Sequence, residues 1–150
     1  MKKIFLPLRY GLAITGILIA YFLFLALFGL HTKPGFSLFN GVITAFGIYT
    51  AIKEYKLEQG KRFSYYNGFT IGVLTGFIST IAFTAFFLLY ATEIDPLFLD
   101  KLLEVFKGDY DVHIGLVAFV VAIMGFASTV VLTLTCMQYF KESWNTPEKK

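Results

Sequence analysis

The sequence predicts an all-α polytopic membrane protein: four transmembrane helices in one domain (1–150), with a short amphipathic helix in the loop between the third and fourth. Two observations carry this. Residues 10–30, 36–52, 65–91 and 114–140 contain no Asp, Glu, Lys or Arg, so all 23 such residues lie outside them. A lipid bilayer imposes that segregation, because a charge at the hydrocarbon centre costs at least about 2.5–3.5 kcal/mol. Composition agrees: 57% of residues are apolar and only 15% are charged, against about 25% charged in soluble chains. The 18 Phe and 9 Tyr would overfill a single aqueous core of this size, whereas most can face lipid here.

The first segment has 21 residues, enough at about 1.5 Å per residue to cross a hydrocarbon core of roughly 30 Å. Lys2 and Lys3 mimic the basic start of a signal peptide. The apolar run exceeds the usual length of about 7–15 residues and no A-x-A site follows, so it is expected to remain as an uncleaved first span. Only five residues, 31–35, lead to the second segment, which forces an antiparallel hairpin. That second segment is short at 17 residues and is expected to stand nearly upright or to rely on snorkelling flanks. Residues 53–64 read as a charged loop turned by Gly60. The third and fourth segments have 27 residues each. In the loop between them, 92–113, Asp95-Pro96 combines a capping carboxylate with a proline suited to the first helical position. Leu99, Leu102, Leu103 and Phe106 follow at helical spacing and Gly108 is a stop, which predicts an amphipathic helix over about 96–107 whose apolar face rests on the outer membrane–water boundary or on the top of the bundle.

Basic residues set the expected orientation. Lys2, Lys3, Arg9, Lys53, Lys56, Lys61, Arg62, Lys141, Lys149 and Lys150 fall on one side; Lys33, Lys101 and Lys107 fall on the other. The positive-inside rule places the first group, and both termini, in the cytoplasm. Tyr10, Tyr55, Tyr65, Tyr66, Tyr139 and Trp144 then mark the inner boundary, and Tyr90 and Tyr110 the outer one.

Small residues recur every three or four positions on three spans. The third carries Gly68, Gly72, Gly76, Thr80 and Thr84; the second Ser37, Asn40, Gly41, Thr44, Gly47 and Ala51; the fourth Ala118, Ala122, Gly125, Thr129 and Thr133. In lipid, helices associate by close packing, and such stripes let backbones approach. The favoured reading is packing of the three faces within one chain. Homodimerisation through Gly68, Gly72 and Gly76 is the second reading, and a polar path lined by the threonines and Asn40 the third.

Other functions find little support. No ionisable residue sits within a span, which argues against pumping through a membrane-embedded carboxylate. H-E-x-x-H, G-x-S-x-G and phosphate-loop motifs are absent, and no cofactor is expected. The net charge of +3 is scattered along loops and forms no nucleic-acid patch. Cys136 stands alone within the fourth span and reads as a buried, inert thiol. Asp109, Asp111 and His113 share one face of an extended segment, with His31 on the same side. Oxygen and imidazole ligands suit zinc or manganese, but the spacing is generic, and a solvated loop with an interfacial histidine is the better reading.

Three features carry a family resemblance: Arg9-Tyr10-Gly11-Leu12 opening a span; the block Lys61 to Gly72, in which a charged loop runs into a glycine-bearing span; and Ile94-Asp95-Pro96-Leu97-Phe98. The chain resembles the small membrane proteins of the domain of unknown function 4199 family, abundant in Bacteroidetes. Asp95 and Leu97 depart from that family's Asn-Pro-(Asp/Glu)-Phe form. The resemblance implies a four-helix protein of the bacterial inner membrane, with no assigned activity and no catalytic residues to carry over. The leading expectation is a non-catalytic accessory or structural subunit, in contact with lipid and with itself or a larger membrane partner. The alternative is a small facilitator or flippase-like protein for a lipid or lipid-linked sugar, and the weakest is an envelope enzyme that uses the outer acids.

Overall fold

The computed structural model describes residues 2–105 and 112–141. They form five helices: α1 (Lys2–Leu27), α2 (Pro34–Gln59), α3 (Tyr65–Leu89), α4 (Phe98–Val105) and α5 (Ile114–Phe140). α1, α2, α3 and α5 are long and apolar enough to cross a membrane, and the chain is an all-α polytopic membrane protein.

Backbone chemistry, rather than charge, sets the helix ends. α1 stops at Leu27, inside the first charge-free segment. Gly29 takes φ +66°, Leu30 N–H donates to the Leu25 carbonyl at 2.9 Å and Gly29 N–H to Ala26 at 3.1 Å. This pair of bonds is a Schellman closure, which favours glycine in the left-handed position. α2 opens on Pro34, whose missing N–H costs nothing at a helix start. It then runs seven residues beyond the apolar segment, so 53–59 is helix and not loop. Lys, Glu, Leu and Gln in that stretch are strong helix formers. Arg9 Nη2 of α1 holds Glu54 at 2.7 and 2.8 Å, and the Tyr10 hydroxyl donates to the same carboxylate. Gly60, at φ +51°, ends α2, and a 3₁₀ turn, Gly60–Arg62, leads on. Ser64 caps α3 by accepting the Asn67 N–H at 3.3 Å.

Beyond Leu89 the chain widens into a π-helical turn, Tyr90–Ile94. α4 begins at Phe98, two residues later than the position of Pro96 suggested. The Asp95 carboxylate does not cap it; it pairs with Lys101 Nζ at 3.1 Å, and Asp95 contributes its backbone carbonyl to the Phe98 N–H. Phe106, Gly108, Asp109 and Asp111 lie outside the described residues.

α3 is the central rod, with α1, α2 and α5 packed against it; α2 also touches α1 and α5. Both ends of the bundle are aromatic. Towards the termini, Leu6, Ala51, Tyr55 and Ile71 form one cluster and Ile48, Ile52, Met137 and Phe140 another. There Lys56 Nζ donates to the last α5 carbonyl, that of Phe140, at 3.3 Å, as favours a cation at a helix C-terminus. At the opposite end Phe22, Phe87, Tyr90, Ala91, Phe98 and Ala118 enclose the base of α4. Large apolar side chains face outward along the rods, among them Phe46, Ile81 and Met124, the inversion a lipid solvent permits.

Candidate functional site

Two arrangements stand out. The first is a seam between α3 and α5. A Cβ on Gly72 would lie 2.5 Å from Thr133 Cγ2, a Cβ on Gly76 would collide with Thr129, and a Cβ on Gly125 would lie 2.5 Å from Thr80 Cγ2. Gly68 makes the next contact, with Met137 and Phe63. Successive pairs step four residues up α3 and four down α5, as antiparallel helices require. Each threonine seats in a notch that only glycine provides, with roles exchanged at the Thr80–Gly125 pair. Thr129 and Thr133 are buried, and their hydroxyl oxygens meet no N–H or O–H donor or acceptor. Each hydroxyl oxygen lies within 3.0 Å of the place a Cβ on Gly72 or Gly76 would take. The Gly68, Gly72 and Gly76 face is therefore occupied by α5 of the same chain.

The small-residue stripe of α2 divides in two. Near the termini it is packed: Gly47 abuts Ile14 of α1 and Ile52 reaches Gly72. In the half nearer α4, Gly41 meets nothing within 4 Å and Ser37 is exposed. Asn40 and Thr44 are half-buried. Thr44 Oγ1 donates back to the Asn40 carbonyl at 2.8 Å, and Asn40 Oδ1 has no partner. Sequence reasoning missed the α1 counterpart. Gly11 lies under Ile78 and the Thr75 carbonyl, and Thr15 Oγ1 donates to the Gly11 carbonyl at 2.8 Å. The four-residue step from Gly11 to Thr15 was the available signal.

The second arrangement is a pocket of about 650 Å³ at the α4 end, walled by His31 and Thr32, by Tyr90 and Asp95, and by Lys101 and Glu104. Its base is an aromatic cluster. The His31 ring stacks on Phe98 at 5.2 Å and 17° and meets the edges of Phe22 at 5.6 Å and Tyr90 at 6.0 Å. Both imidazole nitrogens are sequestered and unpartnered. Burial holds the His31 pKa below its ordinary value; Asp95 opposes the shift and Lys101 adds to it. Of the residues expected on the amphipathic face, Leu102 packs on the cluster and Leu99 and Leu103 are half-buried. The anchor is Phe98, 1% exposed, which the leucine pattern left out although it stands four residues before Leu102.

Of the metal candidates, only His31 and His113 lie among the described residues, and they do not share a site. His113 accepts the Gly115 N–H through Nδ1 at 3.0 Å and caps α5, while His31 sits among rings. Among the described residues no group of three His, Cys, Asp or Glu side chains could hold a metal. Cys136 is a free, half-buried thiol that faces the Ala45 carbonyl at 3.9 Å.

The family model for a protein of unknown function, DUF4199, matches residues 9–113. The chain belongs to that family. The DUF4199 match covers most of α1, all of α2, α3 and α4, and stops at the cap of α5. No curated protein and no solved structure matches the chain. Within the DUF4199 span lie every residue of the pocket and the α3 half of the seam; Gly125, Thr129 and Thr133 lie beyond it.

Proposed function

We propose that this is a non-catalytic membrane subunit of the bacterial inner membrane that acts by helix–helix contact, and that the contact is made by the α4-proximal half of α2. One observation carries the reading: Ser37, Asn40, Gly41 and Thr44 form a small, polar stripe at helical spacing, and Gly41 has no side chain of its own chain over it. On the other spans Gly11, Gly68, Gly72, Gly76 and Gly125 each receive a partner within the bundle, whereas Gly16 of α1, like Gly41, meets nothing within 4 Å. Next to the bare stripe, Leu38, Phe39 and Val42 are exposed, so a docking helix would gain contact area as well as close backbone approach. The excess of basic residues on the termini side supports cytoplasmic termini and a periplasmic α4.

A facilitator for a lipid or lipid-linked sugar would need its threonines to line a path, and Thr80, Thr129 and Thr133 are committed to glycine notches. An enzyme built on the outer acids could not use Asp95 as a free carboxylate while it is paired with Lys101. Neither arrangement favours those readings.

Gly41→Ile tests the proposal, because the added side chain meets open space within the chain and folding should be unaffected. The parent, purified in mild detergent at native expression, is expected to carry a second copy or a larger membrane protein, and Gly41→Ile is expected to lose it with an unchanged thermal unfolding profile. A parent that is alone, or a variant that associates as the parent does, overturns the reading.

A further inference from the structure

We propose that His31 is a proton-binding site and that its protonation releases α4 from the end of the bundle. The imidazole is the centrepiece of the α4 docking surface: one face lies on Phe98 and its edges meet Phe22 and Tyr90. Such a site accepts a neutral, apolar ring. An imidazolium has two N–H donors and a full charge, and here neither nitrogen has an acceptor or solvent contact.

The neighbouring groups do not rescue the cation. Asp95, on the turn after α3, is the carboxylate that acts on His31, and Lys101 of α4 already holds it at 3.1 Å. Lys101 itself repels an imidazolium. Glu104, also on α4, lines the same pocket but is exposed. The π turn contributes the Tyr90 ring, and α1 contributes Phe22 and Ala26. Burial accordingly dominates and depresses the His31 pKa in the docked state. When α4 lifts, the ring regains water and an ordinary pKa near 6.5. The released state therefore binds more protons. Docking is complete well above the open-state pKa and weakens as pH falls through it, a loss that levels off only below the depressed docked-state value.

The device is small because α4 is small. Eight residues do not hold a helix alone in water, so α4 depends on Phe98, and Phe98 depends on the neutral ring beneath it. Acidification on the α4 side of the membrane would then uncover the aromatic base of the pocket without disturbing the spans.

The test uses the full chain in nanodiscs, with Cys136→Ser, and spin labels at Asp100→Cys on α4 and Gly35→Cys on α2, both solvent-exposed positions. In this background the ratio of the long-distance to the short-distance population should rise about tenfold or more from pH 8 to pH 5; one proton with an open-state pKa near 6.5 allows about thirtyfold. His31→Phe keeps a stacked ring and cannot titrate, so its ratio should change less than about twofold. The Asp95–Lys101 pair is present in both chains, so a difference between them belongs to His31. A pH response of the same size in both chains, or in neither, overturns the proposal.

Discussion

Gly76→Thr is expected to destabilise the bundle by about 3 kcal/mol, at the upper end of what overpacking a close contact costs, and Thr129→Gly is expected to restore most of that loss when added to it. The expectation follows from the seam. At Gly76 the added Cβ would meet three atoms of Thr129, including its Cβ at 2.9 Å. Thr129 cannot swing away, because a β-branched side chain in a helix has few χ1 choices. The backbones must separate instead, and that also loosens Gly72–Thr133 and Thr80–Gly125 one turn to either side. The double exchange, by contrast, turns the Gly76–Thr129 pair into a copy of Thr80–Gly125, in which the threonine already stands on α3 and the notch on α5. The intrinsic helix penalty of glycine, about 1 kcal/mol, is moved from one helix to the other and cancels. The cycle is read by reversible unfolding in mixed micelles. A double variant no more stable than Gly76→Thr alone would show that the threonines do not key into the notches.

This seam shows what one sequence can and cannot disclose. The glycines and threonines every four residues were visible on three spans, because lipid leaves small residues as the only means of close approach. Which stripe meets which was not visible, since register between helices depends on which rods are neighbours. That is why an external dimer face through Gly68, Gly72 and Gly76 stood as a second reading beside packing within one chain. Helix ends were hidden for a related reason. The absence of charge marks the oil–water border, whereas a helix ends where its backbone is capped. Gly29 stops α1 inside the apolar segment, and Lys53–Gln59 prolong α2 beyond it with help from Arg9, 45 positions away. The same limit explains α4: Asp95-Pro96 has the local chemistry of a cap, but a lysine six residues on takes the carboxylate.

Those local cues undervalue the residue on which α4 depends, and Phe98→Ala should release the helix at every pH while the four spans stay folded. Phe98 is 1% exposed, with ring centroids of His31, Phe22, Phe87 and Tyr90 between 5.2 and 5.9 Å away. Removing a buried phenylalanine typically costs about 3–5 kcal/mol. What would remain is the contact of Leu102, the half-buried Leu99 and Leu103, and the Asp95–Lys101 pair. The lysine side chain is 51% exposed, and such pairs contribute at most about 1 kcal/mol, so Asp95→Asn should leave α4 docked near neutral pH. The loss in Phe98→Ala therefore exceeds what the remaining contacts can offset. It stays local, because the phenylalanine belongs to an eight-residue segment outside the rods. Amide exchange over 98–105, corrected for the intrinsic effect of pH, should be fast in Phe98→Ala at both pH 7.5 and pH 5, whereas the spans keep their protection. In the parent it should be fast only at pH 5. Slow exchange in Phe98→Ala at pH 7.5 would mean that α4 is held by something other than its aromatic anchor, and a neutral imidazole beneath that anchor would then have nothing to control.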